Sequence, residues 1–117
     1  MDYKSIIASL VKPDNVDSWI TIEPDVFYKD GKPYGLIGTM NNPHSNILYI
    51  AATVKDVDDP FTVGMLKSII SMYKRRRICL VTEVESKQRL IRRALDRYDF
   101  DYEYKDGMMY SYGGYNV

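Results

Sequence analysis

Ile47-Leu48-Tyr49-Ile50-Ala51-Ala52-Thr53-Val54, Lys55-Asp56-Val57-Asp58-Asp59-Pro60, then Phe61 to Tyr73: this stretch decides the fold of the chain. Its first part is a nearly continuous apolar run, the pattern of a strand covered on both faces. Its middle is a turn rich in aspartate. Pro60 suits the first position of a helix, and the acidic residues ahead of it complement the positive end of the helix dipole. Val63, Leu66, Ile69, Ile70 and Tyr73 then recur at helical spacing, and the basic run Lys74-Arg75-Arg76-Arg77 suits the far end of the helix. A second apolar strand, Ile78 to Val84, begins at once. Two strands joined by a connection of helix length are expected to be parallel and adjacent.

Downstream, Ser86 begins an amphipathic helix that turns Leu90, Ile91, Ala94, Leu95 and Tyr98 inward. Asp101 to Tyr104, the turn Lys105-Asp106-Gly107 and Met108 to Tyr112 read as a hairpin. Upstream, Tyr3, Ile6, Ile7, Leu10 and Val11 mark a first helix over Asp2 to Lys12, closed by Pro13. From Trp19 the pattern turns strand-like: Trp19 to Ile22, then Val26 to Tyr28, the turn Lys29-Asp30-Gly31-Lys32, and Tyr34 to Gly38. Asn41 to Asn46 makes a further polar turn. The expected order is a helix, three strands, then βαβαββ, an α/β (α+β) chain forming a single domain over residues 1–117.

No apolar run approaches the roughly 20 residues needed to span a bilayer, so a membrane protein is not expected. Met1-Asp2-Tyr3-Lys4 shows none of the basic, apolar and small-residue pattern of a secretory signal, which predicts cytoplasmic residence. The lone Cys79 sits inside Ile78-Cys79-Leu80-Val81 and reads as a buried thiol. His44, the single histidine, falls in a turn, where pairing with Cys79 would need tertiary coincidence. Eleven tyrosines against three phenylalanines and one tryptophan suit half-buried sheet faces, because tyrosine packs its ring and wets its hydroxyl. A partner surface is the other use for them.

In layout the chain resembles the GCN5-related N-acetyltransferase (GNAT) superfamily, over roughly Trp19 to Tyr112. Those folds place a helical segment before an antiparallel meander, then a strand and helix that bind coenzyme A, then a strand, a helix and a closing strand region. The resemblance implies a mixed, mostly antiparallel twisted sheet with a central parallel pair and helices on both faces. Phe100 stands where the family's penultimate helix ends in Gly-Phe, with Asp99 in the glycine position. Small phage-encoded relatives, among them internal virion proteins, are similar in their short length and eroded motifs.

The family's cofactor loop runs Gln or Arg, two residues, Gly, one residue, Gly or Ala, and its backbone N–H groups hold the diphosphate at a helix N-terminus. Here Thr62, Val63 and Gly64 stand in that region, no Arg or Gln precedes Gly64, and Asp56, Asp58 and Asp59 repel a diphosphate. Each such carboxylate within about 5 Å of a phosphate costs on the order of 1 kcal/mol. No cofactor is therefore expected, with acetyl-coenzyme A the cofactor if the chain is an enzyme. The family's proton-donating tyrosine falls on Leu95, and the asparagine ahead of it on Gln88. Glu83 as base and Tyr98 as acid are the remaining catalytic candidates.

Charge is segregated. From Gly64 to Tyr98 there are ten Lys or Arg against three acids, a surplus of seven positive charges that the rest of the neutral chain offsets. Arg89, Arg92, Arg93 and Arg97 fall on the helix face opposite the apolar stripe. With Arg75, Arg76 and Arg77 they form the expected partner-binding surface. A protein partner is the leading expectation. Nucleic acid is the alternative, held back by zero net charge and the lack of any helix-turn-helix, zinc or RNP pattern. The functional expectation is a GNAT-like, phage-type protein with weakened or lost acetyltransferase activity that binds a virion or host protein. The alternatives are an active N-acyltransferase with a divergent cofactor loop and a nucleic-acid-binding accessory protein.

Overall fold

A computed structural model describes residues 2–40, 46–73, 77–83 and 89–113, excluding the side chains of residues 83 and 89–91. Its elements are α1 (Tyr3–Leu10), α2 (Val16–Ile22), β1 (Asp25–Lys29), β2 (Lys32–Met40), β3 (Leu48–Val54), α3 (Pro60–Met72), β4 (Ile78–Glu83), α4 (Arg89–Arg97), β5 (Asp101–Lys105) and β6 (Met108–Gly113). The six strands form one sheet in the order β1-β2-β3-β4-β6-β5. β3 and β4 are parallel, as their apolar continuity and the helix between them require, and every other pair is antiparallel.

Both hairpins form where Asp-Gly predicts them. Asp30 and Gly31 have φ of 52° and 75°, and Asp106 and Gly107 have 53° and 77°, the paired left-handed residues that match the twist of the flanking strands. Asp2 caps α1 by accepting the Ser5 N–H at 2.7 Å, and Asp59 caps α3 by accepting that of Phe61 at 2.9 Å. α4 is followed by Asp99 at φ 56°, and the Phe100 N–H returns to the Leu95 carbonyl at 3.1 Å. That left-handed position explains the glycine expected there: aspartate is one of the few other residues that adopt it.

The segment Trp19 to Ile22, read as a third strand, is instead the end of α2. Its β-branched and aromatic residues carry a local strand preference that tertiary docking overrides. The docking point is Gly38, where an added Cβ would lie 2.1 Å from Cγ2 of Ile22. α2 therefore seats directly on the sheet backbone. On the opposite face, α3 presses Met65 against Gly35 and the Phe100 ring lies against Gly113.

The main core lies on this second face. Ile37, Leu48, Ile50, Ile78, Leu80 and Met109 from the sheet meet Met65, Leu66, Ile69 and Ile70 of α3 and Ala94 and Leu95 of α4. The predicted α3 stripe is shifted: Val63 and Tyr73 are half-buried, while Thr62 and Met65 are buried. No basic residue lies in the last turn of α3, and Lys74, Arg75 and Arg76 lie outside the described residues. So do His44 and the segment Ser86 to Gln88 at the expected start of the fourth helix. Cys79 is fully buried, as its apolar neighbours imply, and burial pushes its thiol up to about 11. Such a thiol stays protonated and inert at neutral pH. Among the described residues, no helix is long and apolar enough to cross a membrane.

Candidate functional site

The parallel ladder joins Leu48 to Ile78 and ends at Ala51 with Val81. Both strands continue. β3 stays paired with β2 as far as Val54, and β4 stays paired with β6 as far as Glu83. Ala52 to Val54 thus part from Thr82 and Glu83, and the sheet opens at the carboxyl ends of its parallel strands, where α/β sheets hold ligands.

Two spaces flank this split. On the α3–α4 face is a cavity of about 80 Å³, bounded among the described residues by the end of β3 that has parted from β4, by α3, by Leu95 of α4, and by Leu80, Thr82, Met109 and Ser111. On the other face a cleft of about 520 Å³ lies between α1–α2 and the strands, lined by Leu10, Trp19, Ile22, Met40, Val81 and Met108. Ala52, Thr53 and Val54 line both. Neither space was legible from sequence, because the split is a departure from ladder pairing that leaves no mark in the apolar pattern.

The N-terminus of α3 stands beside the split, and its donors are already engaged. Pro60 has no N–H, Phe61 donates to the Asp59 carboxylate, and Thr62 donates to the Asp59 carbonyl at 2.9 Å. Asp56 accepts the Asp58 N–H at 2.9 Å. The Asp59 carboxylate forms an ion pair with Lys29. The Lys29 ammonium also lies 5.5 Å and 5.7 Å from the ring centroids of Tyr34 and Phe61, which meet edge to face at 4.9 Å. The start of α3 thus holds an internal carboxylate with its own counter-ion. The sequence signal was Asp59-Pro60, a cap followed by a first-turn proline; its partner Lys29, 30 residues earlier, gave none.

The candidates Thr62, Val63 and Gly64 occupy three different settings. Thr62 points inward, donating to the Asp56 carbonyl at 2.6 Å and lying 2.6 Å from the Tyr34 hydroxyl. Val63 is half-buried and Gly64 is exposed, with open space where a side chain would stand. Tyr98 packs against the core and lines neither space. The Glu83 backbone ends β4 at the split, and its side chain lies outside the described residues.

The hydrogen bond with Lys29 holds Asp59 below the ordinary 3.8, and the same bond raises Lys29 above 10.5. Asp59's contribution to stability is therefore present above its unfolded value and lost as pH falls through its lowered folded value. That of Lys29 is present below its unfolded value and lost as pH rises through its raised one. Thermal midpoints of wild type and Asp59→Asn are expected to differ most between those limits and to converge in acid. A difference that stays constant with pH would remove the ion pair from the account. Because both groups are at the surface, the effect is modest.

Among the basic residues, Arg77, Arg92, Arg93 and Arg97 are exposed. Arg75, Arg76 and the side chain of Arg89 lie outside the described residues. Arg92 stacks 5.6 Å from the ring centroid of Tyr104, itself half exposed. Tyr102 ties α4 to β5: its hydroxyl lies 2.6 Å from the Asp96 carboxylate and 2.9 Å from the Arg92 carbonyl. Burial, then the Asp96 carboxylate, pushes the Tyr102 hydroxyl up. The registers put Tyr102 and Tyr104 on the α4 face, and Tyr110 and Tyr112 on the opposite face. The hairpin thus offers two tyrosine faces.

Among the described residues, the element order, the one parallel pair β3–β4 and the helices on both sheet faces make a GNAT-like fold. No family model matches the chain, and no curated protein matches it. Among solved structures it is similar to the diaminobutyrate acetyltransferase of Paenibacillus lautus, solved with its substrate diaminobutyric acid and coenzyme A. That match has 13% identity over 76% of this chain and 68% of that one, with a TM-score of 0.46. It is also similar to an N-acetyltransferase of Staphylococcus aureus Mu50, with 11% identity over 86% of this chain and 74% of that one and a TM-score of 0.49.

Proposed function

We propose that this chain is a GNAT-fold binding protein with weakened or lost acetyltransferase activity, which engages an acidic protein surface through α4 and β5. The observation that carries the reading is the Asp59 carboxylate at the start of α3, anchored by Lys29. A helix N-terminus holds a diphosphate by offering free N–H groups and positive potential. Here the first turn spends its donors on Asp59, and a bound diphosphate would have to displace that carboxylate from its counter-ion. The exposed Arg92, Arg93 and Arg97 beside Tyr104 supply the alternative use of the fold, since arginine and tyrosine are enriched where protein surfaces meet. A phage virion or host protein is the partner this reading favours.

Calorimetry with acetyl-coenzyme A tests the cofactor half of the proposal. The expected Kd is weaker than roughly 100 µM, less than about 6 kcal/mol of binding free energy. A low-micromolar constant would restore the second reading, an N-acyltransferase with a divergent donor site. That reading has the open split, with a space on either side of it, in its favour.

A further inference from the structure

The outer hairpin carries charge of opposite sign on its two sides. On the face turned away from α4, Asp101 lies directly opposite Tyr112 and Glu103 opposite Tyr110. Both carboxylates are exposed, and both tyrosines are half-buried. Each carboxylate thus has a phenol ring as its cross-strand neighbour, and the two pairs repeat every second residue, about 6.8 Å apart along the strand. Burial first, then Cys79, Tyr49 and Glu103, push the Tyr112 hydroxyl up to about 12, so the Glu103 carboxylate stands close to that ring. On this side of the sheet α1 and α2 pack on β2, in the other half. Lys105 shares the face but stands at the turn, opposite Met108. The residues that follow β6, Gly114 to Val117, include no Asp, Glu, Lys or Arg. On the α4 side, Arg93 and Arg97 are exposed and four residues apart, which stacks them about 6 Å from each other along the helix. Among the described residues, neither these two arginines nor the carboxylates of Asp101 and Glu103 have a hydrogen-bond or ion-pair partner.

We infer that the acidic surface met by α4 belongs to a second copy of this chain, with Arg93 and Arg97 of one copy docking on the Asp101/Tyr112 and Glu103/Tyr110 pairs of the next. The inference rests on the proposed use of α4 as the partner surface and names the partner. Arginine is the side chain that answers a carboxylate and an aromatic ring together, because its planar guanidinium pairs with the first and stacks on the second. Arg92 already stacks in this way on Tyr104 within the chain. The spacings also agree: two arginines about 6 Å apart on a helix meet two receiving pairs about 6.8 Å apart on a strand. Charge is complementary across such a contact, and the zero net charge of the chain removes the general repulsion between copies. The helix and the receiving face lie on opposite sides of the hairpin. Each copy therefore uses one surface for the copy ahead and the other for the copy behind, a head-to-tail contact that passes beyond two copies.

Sedimentation velocity of the purified protein tests this. The average mass of wild type should rise past that of a dimer as concentration is raised to about 500 µM, the range in which weak contacts become populated. It should fall back when salt is raised from about 50 mM to about 500 mM, because the contact is charged and exposed. Arg93→Gln with Arg97→Gln removes the cations, and Asp101→Asn with Glu103→Gln removes the anions. Each double variant alone should associate at least about tenfold more weakly than wild type. An equimolar mixture of the two retains one intact contact, so it should form pairs and nothing larger. Wild type that stays monomeric, or association that survives in both variants, would overturn the inference. Association that stops at a dimer would overturn its head-to-tail order. The salt dependence, read on wild type, decides the matter if a variant is poorly folded. Monomeric wild type that still captures another protein through Arg92, Arg93 and Arg97 would sink this inference and leave the proposed function standing. Assembly without such capture would keep the inference and remove the phage virion or host partner.

Discussion

Replacing Ile50 with alanine is expected to lower the unfolding free energy by about 2–5 kcal/mol, a large share of the 5–15 kcal/mol typical of a single domain. Ile50 is 0% exposed at the middle of β3, opposite Thr39 of β2 and Leu80 of β4. It belongs to the cluster that joins the parallel pair to α3 and α4. Deleting its outer carbons removes contacts on every side, and the sheet backbone prevents the wall from closing in. Chemical denaturation should move the midpoint with little change in slope. Met72→Ala is the control: Met72 is 63% exposed at the end of α3 and should change stability by no more than about 0.5 kcal/mol. Similar losses for the two variants would mean that the core is not centred on β3.

The second large effect concerns the partner surface proposed on α4. Replacing Arg92, Arg93 and Arg97 together with glutamate should leave folding nearly intact, because all three are exposed and surface substitutions usually cost within about 0.5 kcal/mol each. The local field, however, reverses sign. A charge-steered interface can lose about 2–5 kcal/mol when a buried charge pair is broken, enough to remove a captured partner from a pull-down. The expected result is a protein with a native circular dichroism spectrum that no longer retains the partner held by wild type. Equal capture by both proteins would move the search to the tyrosines of β5 and β6. Nuclease-sensitive capture would promote the nucleic-acid reading.

Where local chemistry and long-range packing agree, the fold was legible in the residues. The parallel pair followed from two apolar runs and a helix-length connection, and the hairpins followed from Asp30-Gly31 and Asp106-Gly107. Trp19 to Ile22 was misread because its residue types favour a strand, while its actual state is set by a glycine 16 residues beyond Ile22 that admits the helix onto the sheet. The acidic character of the α3 turn was visible in Asp56, Asp58 and Asp59. That Asp59 caps the helix and pairs with Lys29 was not, since the contact crosses from β1. Thr82 and Ser111 at the cavity escaped notice for a related reason. A threonine among apolar strand residues and a serine between two tyrosines are ordinary singly, and only the ladder makes them neighbours.

The outermost strands of the sheet, β1 and β5, bear on how the protein behaves when concentrated. An outer strand presents unpaired backbone groups that invite another chain to add on, and natural sheets blunt this with charge and irregularity. β1 begins with Asp25, ends with Lys29 and is interrupted by a register shift between Phe27 and Tyr28. On β5 the exposed Asp101, Glu103 and Lys105 alternate along one face. Charged side chains on both rims and the break in the β1 register interrupt the long, flat, apolar edge on which a fibre would grow.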